Sequence, residues 1–194
     1  NDIPALIRAL GAERAHVVGH DWGGVVAWGA ALRHPAVIDR LVILNAPHPG
    51  TFARQLLRPT QLRKSWYMFF FQLPWLPERL LAANQFGVVR RELDDPAYVE
   101  ALRQPGALTA TINYYRAMFR GGLGALRSLR RRVDRPVLVI WGEDDRFLGR
   151  ELAELDPRLV PDGRVVRLPG VGHWPQLEAA ASVNALLVNF LATG

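Results

Sequence analysis

The hexapeptide Gly19-His20-Asp21-Trp22-Gly23-Gly24 follows directly on the run Ala15-His16-Val17-Val18 and precedes an apolar, helix-like stretch from Val25 to Leu32. Strand, very tight turn and helix in this order form a nucleophile elbow, which lifts one reactive side chain above a sheet on a strained turn. The glycines let strand and helix approach closely around a residue driven into an unfavourable backbone conformation. The residue so presented is Asp21. An isolated Asp in a turn usually forms or caps it, but a carboxylate held at this point can attack an electrophilic carbon and form an ester. That ester must then be hydrolysed, so the chemistry requires a general base and an acid to orient it.

Both candidates lie further along the chain, each just after an apolar strand-like run. Glu143-Asp144-Asp145 follows Val137-Leu138-Val139-Ile140, and His173 lies in Gly170-Val171-Gly172-His173-Trp174 after Arg164 to Leu168. Asp145 is the expected orienting acid, with Glu143 and Asp144 read as loop or capping groups. His173 is the expected water-activating base. The order nucleophile, acid, histidine is that of the α/β-hydrolase arrangement. The backbone N–H of Trp22, the residue after the nucleophile, can donate to the oxyanion of the tetrahedral intermediate. The remaining histidines are read as structural, with His20 beneath the elbow and His48 near the start of an insertion.

The elements that must position these groups are legible as well. Asp2 to Leu10 reads as a helix end stopped by Gly11, Ala15 to Gly19 as a buried strand, and Trp22 to Arg33 as a helix ending before Pro35. Arg40 to Asn45, Pro136 to Trp141 and Arg164 to Leu168 read as further strands, and about Pro175 to Leu191 as a last helix. Short Val/Ile/Leu runs alternating with helices predict a parallel sheet covered on both faces. The loops after parallel strands all open on one side, so residues distant in sequence can converge there. From Pro47 to Val133 the strand pattern is replaced by helical stretches: Phe52 to Leu62, Ser65 to Phe71, Glu78 to Ala83, Pro96 to Gln104 and Leu108 to Phe119. The expected organisation is a core of residues 1–46 and 133–194 interrupted by a helical cap, 47–132, able to exclude water from the site.

Composition narrows the function further. The chain has 194 residues, 49% of them hydrophobic and 22% charged, enough for one globular domain with a substantial core. The net charge is +6, but the arginines are scattered in short clusters and Lys64 is the only lysine, a pattern that does not describe a nucleic-acid surface. No apolar run reaches the ~18 residues of a membrane span. The absence of cysteine excludes disulfides and thiolate metal sites.

The leaving group decides what the cap must supply, because a halide needs N–H donors and an epoxide oxygen needs proton donors. Tyr67, in Ser65-Trp66-Tyr67-Met68-Phe69-Phe70-Phe71-Gln72, and Tyr115, in Asn113-Tyr114-Tyr115-Arg116, carry phenols that are protonated at neutral pH and can donate. Taken alone, each would more often be a packing residue.

With these residues in view, the chain resembles the epoxide hydrolases of the α/β-hydrolase superfamily. It is similar to the branch with a Tyr-Met-Phe-x-Phe-Gln-Leu-Pro-Trp-Leu-Pro-Glu cap segment, here Tyr67 to Glu78. Gln104-Pro105-Gly106-Ala107-Leu108, Trp141-Gly142-Glu143-Asp144-Asp145 and Gly172-His173-Trp174 carry the likeness along essentially the whole chain. The resemblance implies an α/β-hydrolase fold, of which this chain holds the C-terminal part of the parallel sheet, four strands, with an inserted helical cap. It implies Asp21 as nucleophile, Asp145 as acid, His173 as base, and Tyr67 and Tyr115 as the pair that holds the epoxide oxygen. The product would be a vicinal diol, and no cofactor or metal would take part. An apolar epoxide is the expected substrate, in a pocket shaped by Trp66, Phe69, Phe70, Trp75 and Phe119.

Family members carry roughly a hundred further residues in front, with four more strands and a His-Gly-x-Pro oxyanion loop. This chain is therefore expected to hold half an oxyanion hole and to be weakly active or inactive by itself. A haloalkane dehalogenase-like hydrolase shares the Asp and the following Trp but would not need two cap tyrosines. A catalytically incomplete α/β-hydrolase scaffold is the reading outside catalysis.

Overall fold

The structure is a computed structural model that describes residues 2–92, 96–121 and 131–192. The chain separates into two compact units: residues 1–64 with 124–194, and residues 65–123. Residues 47–64, expected from sequence at the start of the cap, fold with the sheet. Pro49–Gln55 (α3) and Pro59–Lys64 (α4) bury Pro49, Phe52 and Gln61.

The first unit is built on the strands Ala15–His20 (β1), Ile38–Leu44 (β2), Val137–Gly142 (β3) and Gly163–Leu168 (β4). Among the described residues they form one parallel sheet in the order β1-β2-β3-β4. The runs of branched aliphatic residues explain the two central strands. β2 and β3 each have a neighbouring strand on both sides, and every residue of β3 is buried. On one face, Val42, Leu44, Leu138 and Ile140 pack with Val183 of the last described helix, Ala180–Ala192. On the other, Ile43 comes up against Trp22–Arg33 (α2), whose Gly24 lies close to it. The run Ala15 to Gly19, read from sequence as a buried strand with an open edge, is only partly buried. Val18 is 47% exposed, and among the described residues β1 is the edge of the sheet and pairs with β2 alone.

The second unit consists of Trp66–Phe70 (α5), Leu76–Glu92 (α6), Pro96–Arg103 (α7) and Ala107–Arg120 (α8). Helix α6 is broken at Ala83–Phe86, where Asn84, Gln85 and Phe86 take left-handed backbone angles. Met68, Phe86, Val99 and Ile112 are its buried apolar residues. The Arg116 guanidinium ties the unit together. It makes a two-pronged pair with Glu78 at 2.6 and 3.1 Å and donates to the carbonyls of Phe71 and Leu73. No helix among the described residues is long and apolar enough to cross a membrane.

Candidate active site

Asp21 stands between β1 and α2 with φ +48° and ψ −120°. A side chain at such a φ is strained, and the surroundings must impose it. They do so through close backbone approach. A methyl on Gly19 would come within 2.5 Å of the Gly23 carbonyl oxygen, and one on Gly24 within 2.5 Å of the Ala46 Cβ. The Asp21 N–H donates to the Leu44 carbonyl across the strand ends, and its own carbonyl accepts from Val25 in the first turn of α2. Its carboxylate does not cap the helix and is 40% exposed. Trp22 opens α2, at the positive end of the helix dipole.

His173 and Asp145 meet it from the ends of β4 and β3. The His173 Nε2 lies 3.8 Å from Asp21 Oδ1, and its Nδ1 lies 2.7 Å from Asp145 Oδ2. The first distance is too long for a direct hydrogen bond, so the imidazole is anchored on Asp145 with Nε2 turned toward the carboxylate it would serve. Asp145 is buried, whereas Asp144 is exposed and Glu143 pairs with Arg167. Burial alone would raise the Asp145 pKa. The hydrogen bond and charge of His173, with hydrogen bonds from Asn45 and the Leu148 N–H, outweigh burial and hold it below its ordinary value.

Several residues that hold this arrangement are not singled out by sequence reasoning. Asn45 is fully buried at φ +38°, just past β2. Its amide nitrogen donates to Asp145 Oδ2 at 2.7 Å and to the Gly142 carbonyl, while its oxygen accepts from the Gly142 N–H at 2.8 Å. Glu178 accepts from the N–H groups of Gly172 and Trp174, bracketing His173. His20 Nε2 lies 2.8 Å from the His173 carbonyl oxygen. Desolvation is the main reason its pKa is lowered, so it serves there as a neutral donor. The rings of His20, Phe147 and Trp174 surround the His173 imidazole with centroids about 5 Å away. The signal for Asn45 and Glu178 was position: a polar side chain just past a parallel strand, and a carboxylate five residues beyond the histidine.

Within the second unit, Tyr67 on α5 and Tyr115 on α8 face each other edge to face, with ring centroids 5.7 Å apart. Phe71 packs on both rings. Phe69 packs edge-on against Phe119, and Trp66 lies tilted against Phe70. Of the residues expected to shape a pocket, Phe70 and Phe119 are half-buried. Trp66 and Trp75 are mostly exposed, and the Trp75 ring is covered by the Arg79 guanidinium.

Residues 1–180 match a family described as alpha/beta hydrolase fold. Over 98% of its length the chain is 39% identical to the AB hydrolase superfamily protein YfhM of Bacillus subtilis (strain 168), covering 70% of that protein. It is 35% identical to epoxide hydrolase 4 of Homo sapiens and 37% identical to epoxide hydrolase 3 of Xenopus tropicalis, and spans little more than half of each, 57% and 56%. Among solved structures, a Bacillus megaterium epoxide hydrolase in complex with an inhibitor superposes with a TM-score of 0.76 at 28% identity. That match covers 99% of this chain and 74% of the other.

Proposed function

The chain belongs to the α/β-hydrolase fold family as an epoxide hydrolase-like member, and from that premise we propose that it opens an apolar epoxide to a vicinal diol through an ester on Asp21. The observation that carries the reading is an uncapped carboxylate on a strained turn, next to a histidine whose far nitrogen is anchored on a buried acid.

In the first step an Asp21 carboxylate oxygen bonds to an epoxide carbon, and that carbon–oxygen bond breaks. The departing oxygen takes a proton from Tyr67 or Tyr115, the two facing phenols of the second unit. In the second step His173 removes a proton from water, whose oxygen attacks the ester carbonyl. Asp145 stabilises the imidazolium that forms, and the Trp22 N–H donates to the tetrahedral oxyanion. On collapse the His173 imidazolium gives its proton to the leaving alkoxide, which departs as the diol, and the proton left on the Asp21 carboxyl returns to the phenolate, restoring the Asp21 carboxylate. Phe70 and Phe119, with Trp66 and Trp75, are proposed to shape the apolar pocket.

Attack at the ester carbonyl, rather than at the substrate carbon, leaves one water oxygen in the enzyme. A single turnover of styrene oxide in H2(18)O should therefore label Asp21 and leave the first diol unlabelled. Label appearing in that diol would replace the ester route with direct water attack. A His173→Gln variant should accumulate the Asp21 ester, detectable by mass. Bromide release from 1-bromobutane in place of diol formation would favour dehalogenation.

A further inference from the structure

The loop that carries Asp145 is gripped by two side chains that the mechanism above does not use. Gln61 and Lys64 lie three residues apart on α4 and therefore on one face of it. The Gln61 amide nitrogen donates to the Phe147 carbonyl at 3.0 Å, and its oxygen accepts from the Gly149 N–H at 2.9 Å. The Lys64 ammonium donates to the Asp145 carbonyl at 2.5 Å and to that of Leu148 at 3.4 Å. Gln61 is buried and Lys64 half-buried. The loop main chain is thus held at residues 145, 147, 148 and 149. Two of these residues, Phe147 and Leu148, also donate their N–H groups to Asp145 Oδ1. A shift of that main chain would move the carboxylate that aims His173.

We propose that Gln61 and Lys64 are positioning residues for the reaction, a clamp from α4 that fixes the Asp145 loop and through it the His173 imidazole. This rests on the epoxide reading for its kinetic consequence, but not for its geometry. The clamp serves the step that needs the base. Ester formation draws on Asp21 and the phenols, whereas ester hydrolysis needs His173 in register, and a misplacement of about 1 Å can cost on the order of 100-fold.

The test separates the two steps. With styrene oxide under single-turnover conditions, Lys64→Met and Gln61→Leu should slow hydrolysis of the Asp21 ester about 10- to 100-fold. Ester formation should change less than about three-fold, and Lys64→Arg should recover most of the lost rate because it keeps the charge and donors. Unchanged ester hydrolysis in Lys64→Met would overturn the clamp. If the unaltered chain forms no ester, the clamp is judged without substrate. The low-field proton shared by His173 and Asp145, assigned by its loss in His173→Gln, should then move or broaden in Lys64→Met. An identical resonance would reject the proposal. Should that variant not fold, the single lysine gives a direct measurement. An amine-reactive acetylating reagent should modify Lys64 much more slowly in the folded chain than in denaturant, and equal rates would refute the grip.

Discussion

Asn45 shows how one side chain can set the chemistry of another. It satisfies three polar groups at once in a place with no exposure: one oxygen of Asp145, and the N–H and carbonyl of Gly142. Its left-handed φ places the amide between β2 and β3, at the strand ends where the acid begins. Asn45→Ala should strand those buried groups and cost about 2–3 kcal/mol of stability, read as a lower urea midpoint with an unchanged m-value. Because Asp145 loses a donor, its pKa should rise toward the ordinary carboxylate value, and ester hydrolysis should slow more than ester formation. A similar division holds for the phenols. Tyr67→Phe together with Tyr115→Phe should suppress epoxide opening by orders of magnitude while leaving the His173–Asp145 proton resonance in place. Retained opening in the double variant would remove the tyrosines from the mechanism.

At the scale of elements, the elbow depends on how closely β1 and α2 approach. The atoms that a methyl on Gly19 would meet, Gly23 oxygen and carbon and Gly24 Cα, are all main chain and cannot rotate aside. Gly19→Ala should cost about 1–3 kcal/mol and displace Asp21, seen as reduced ester formation. Gly23 provides the contrast, since nothing lies within 4 Å of a methyl there, and Gly23→Ala should leave the urea midpoint level or raised. In the second unit, Arg116 joins the exit of α5 to the helix that carries Tyr115. The hydrogen bond from Arg116, partly opposed by burial, lowers the Glu78 pKa, which marks the pair as a working interaction. Arg116→Met should cost about 1–3 kcal/mol, with faster amide exchange concentrated in residues 66–76.

For the molecule as a whole, acid should be destabilising before the carboxylates titrate. His48 is buried, accepts from the Gly50 N–H and packs edge-on against Trp28. Burial, followed by the charge of Arg54, pushes its pKa down to about 4. The unfolded chain therefore binds a proton that the folded chain refuses between about pH 6.5 and 4. Stability contributed by the neutral ring is present above that window and is lost as pH falls through it, by up to about 3 kcal/mol. His20, also lowered by burial, acts in the same direction. Urea midpoints at pH 7, 5.5 and 4 should fall steadily, and His48→Gln, whose side-chain oxygen can still accept from Gly50, should flatten the slope. The depressed Asp145 pKa adds a further loss only below the ordinary carboxylate range, as its carboxylate becomes protonated.

The amino-acid sequence by itself determined the alternation of strand and helix, the placing of Asp21, Asp145 and His173 after strand ends, and the family. Each of these is written locally: apolar runs, the glycines around Asp21, and strand ends marked by Asp145 and His173. It read Ala15 to Gly19 as a buried strand with an open edge; Val17 and Val18 look alike in sequence whether or not a neighbour covers them, and the structure leaves Val18 exposed. It preferred Asp145 to Glu143 and Asp144 as the acid, a preference that spacing alone supports weakly, because adjacent loop residues differ only in where the backbone points them. Tertiary structure buries Asp145 against His173 and leaves Asp144 exposed. It also recruited Asn45, Gln61 and Lys64, whose roles consist of hydrogen bonds to residues far away in sequence and so exist only in the folded chain.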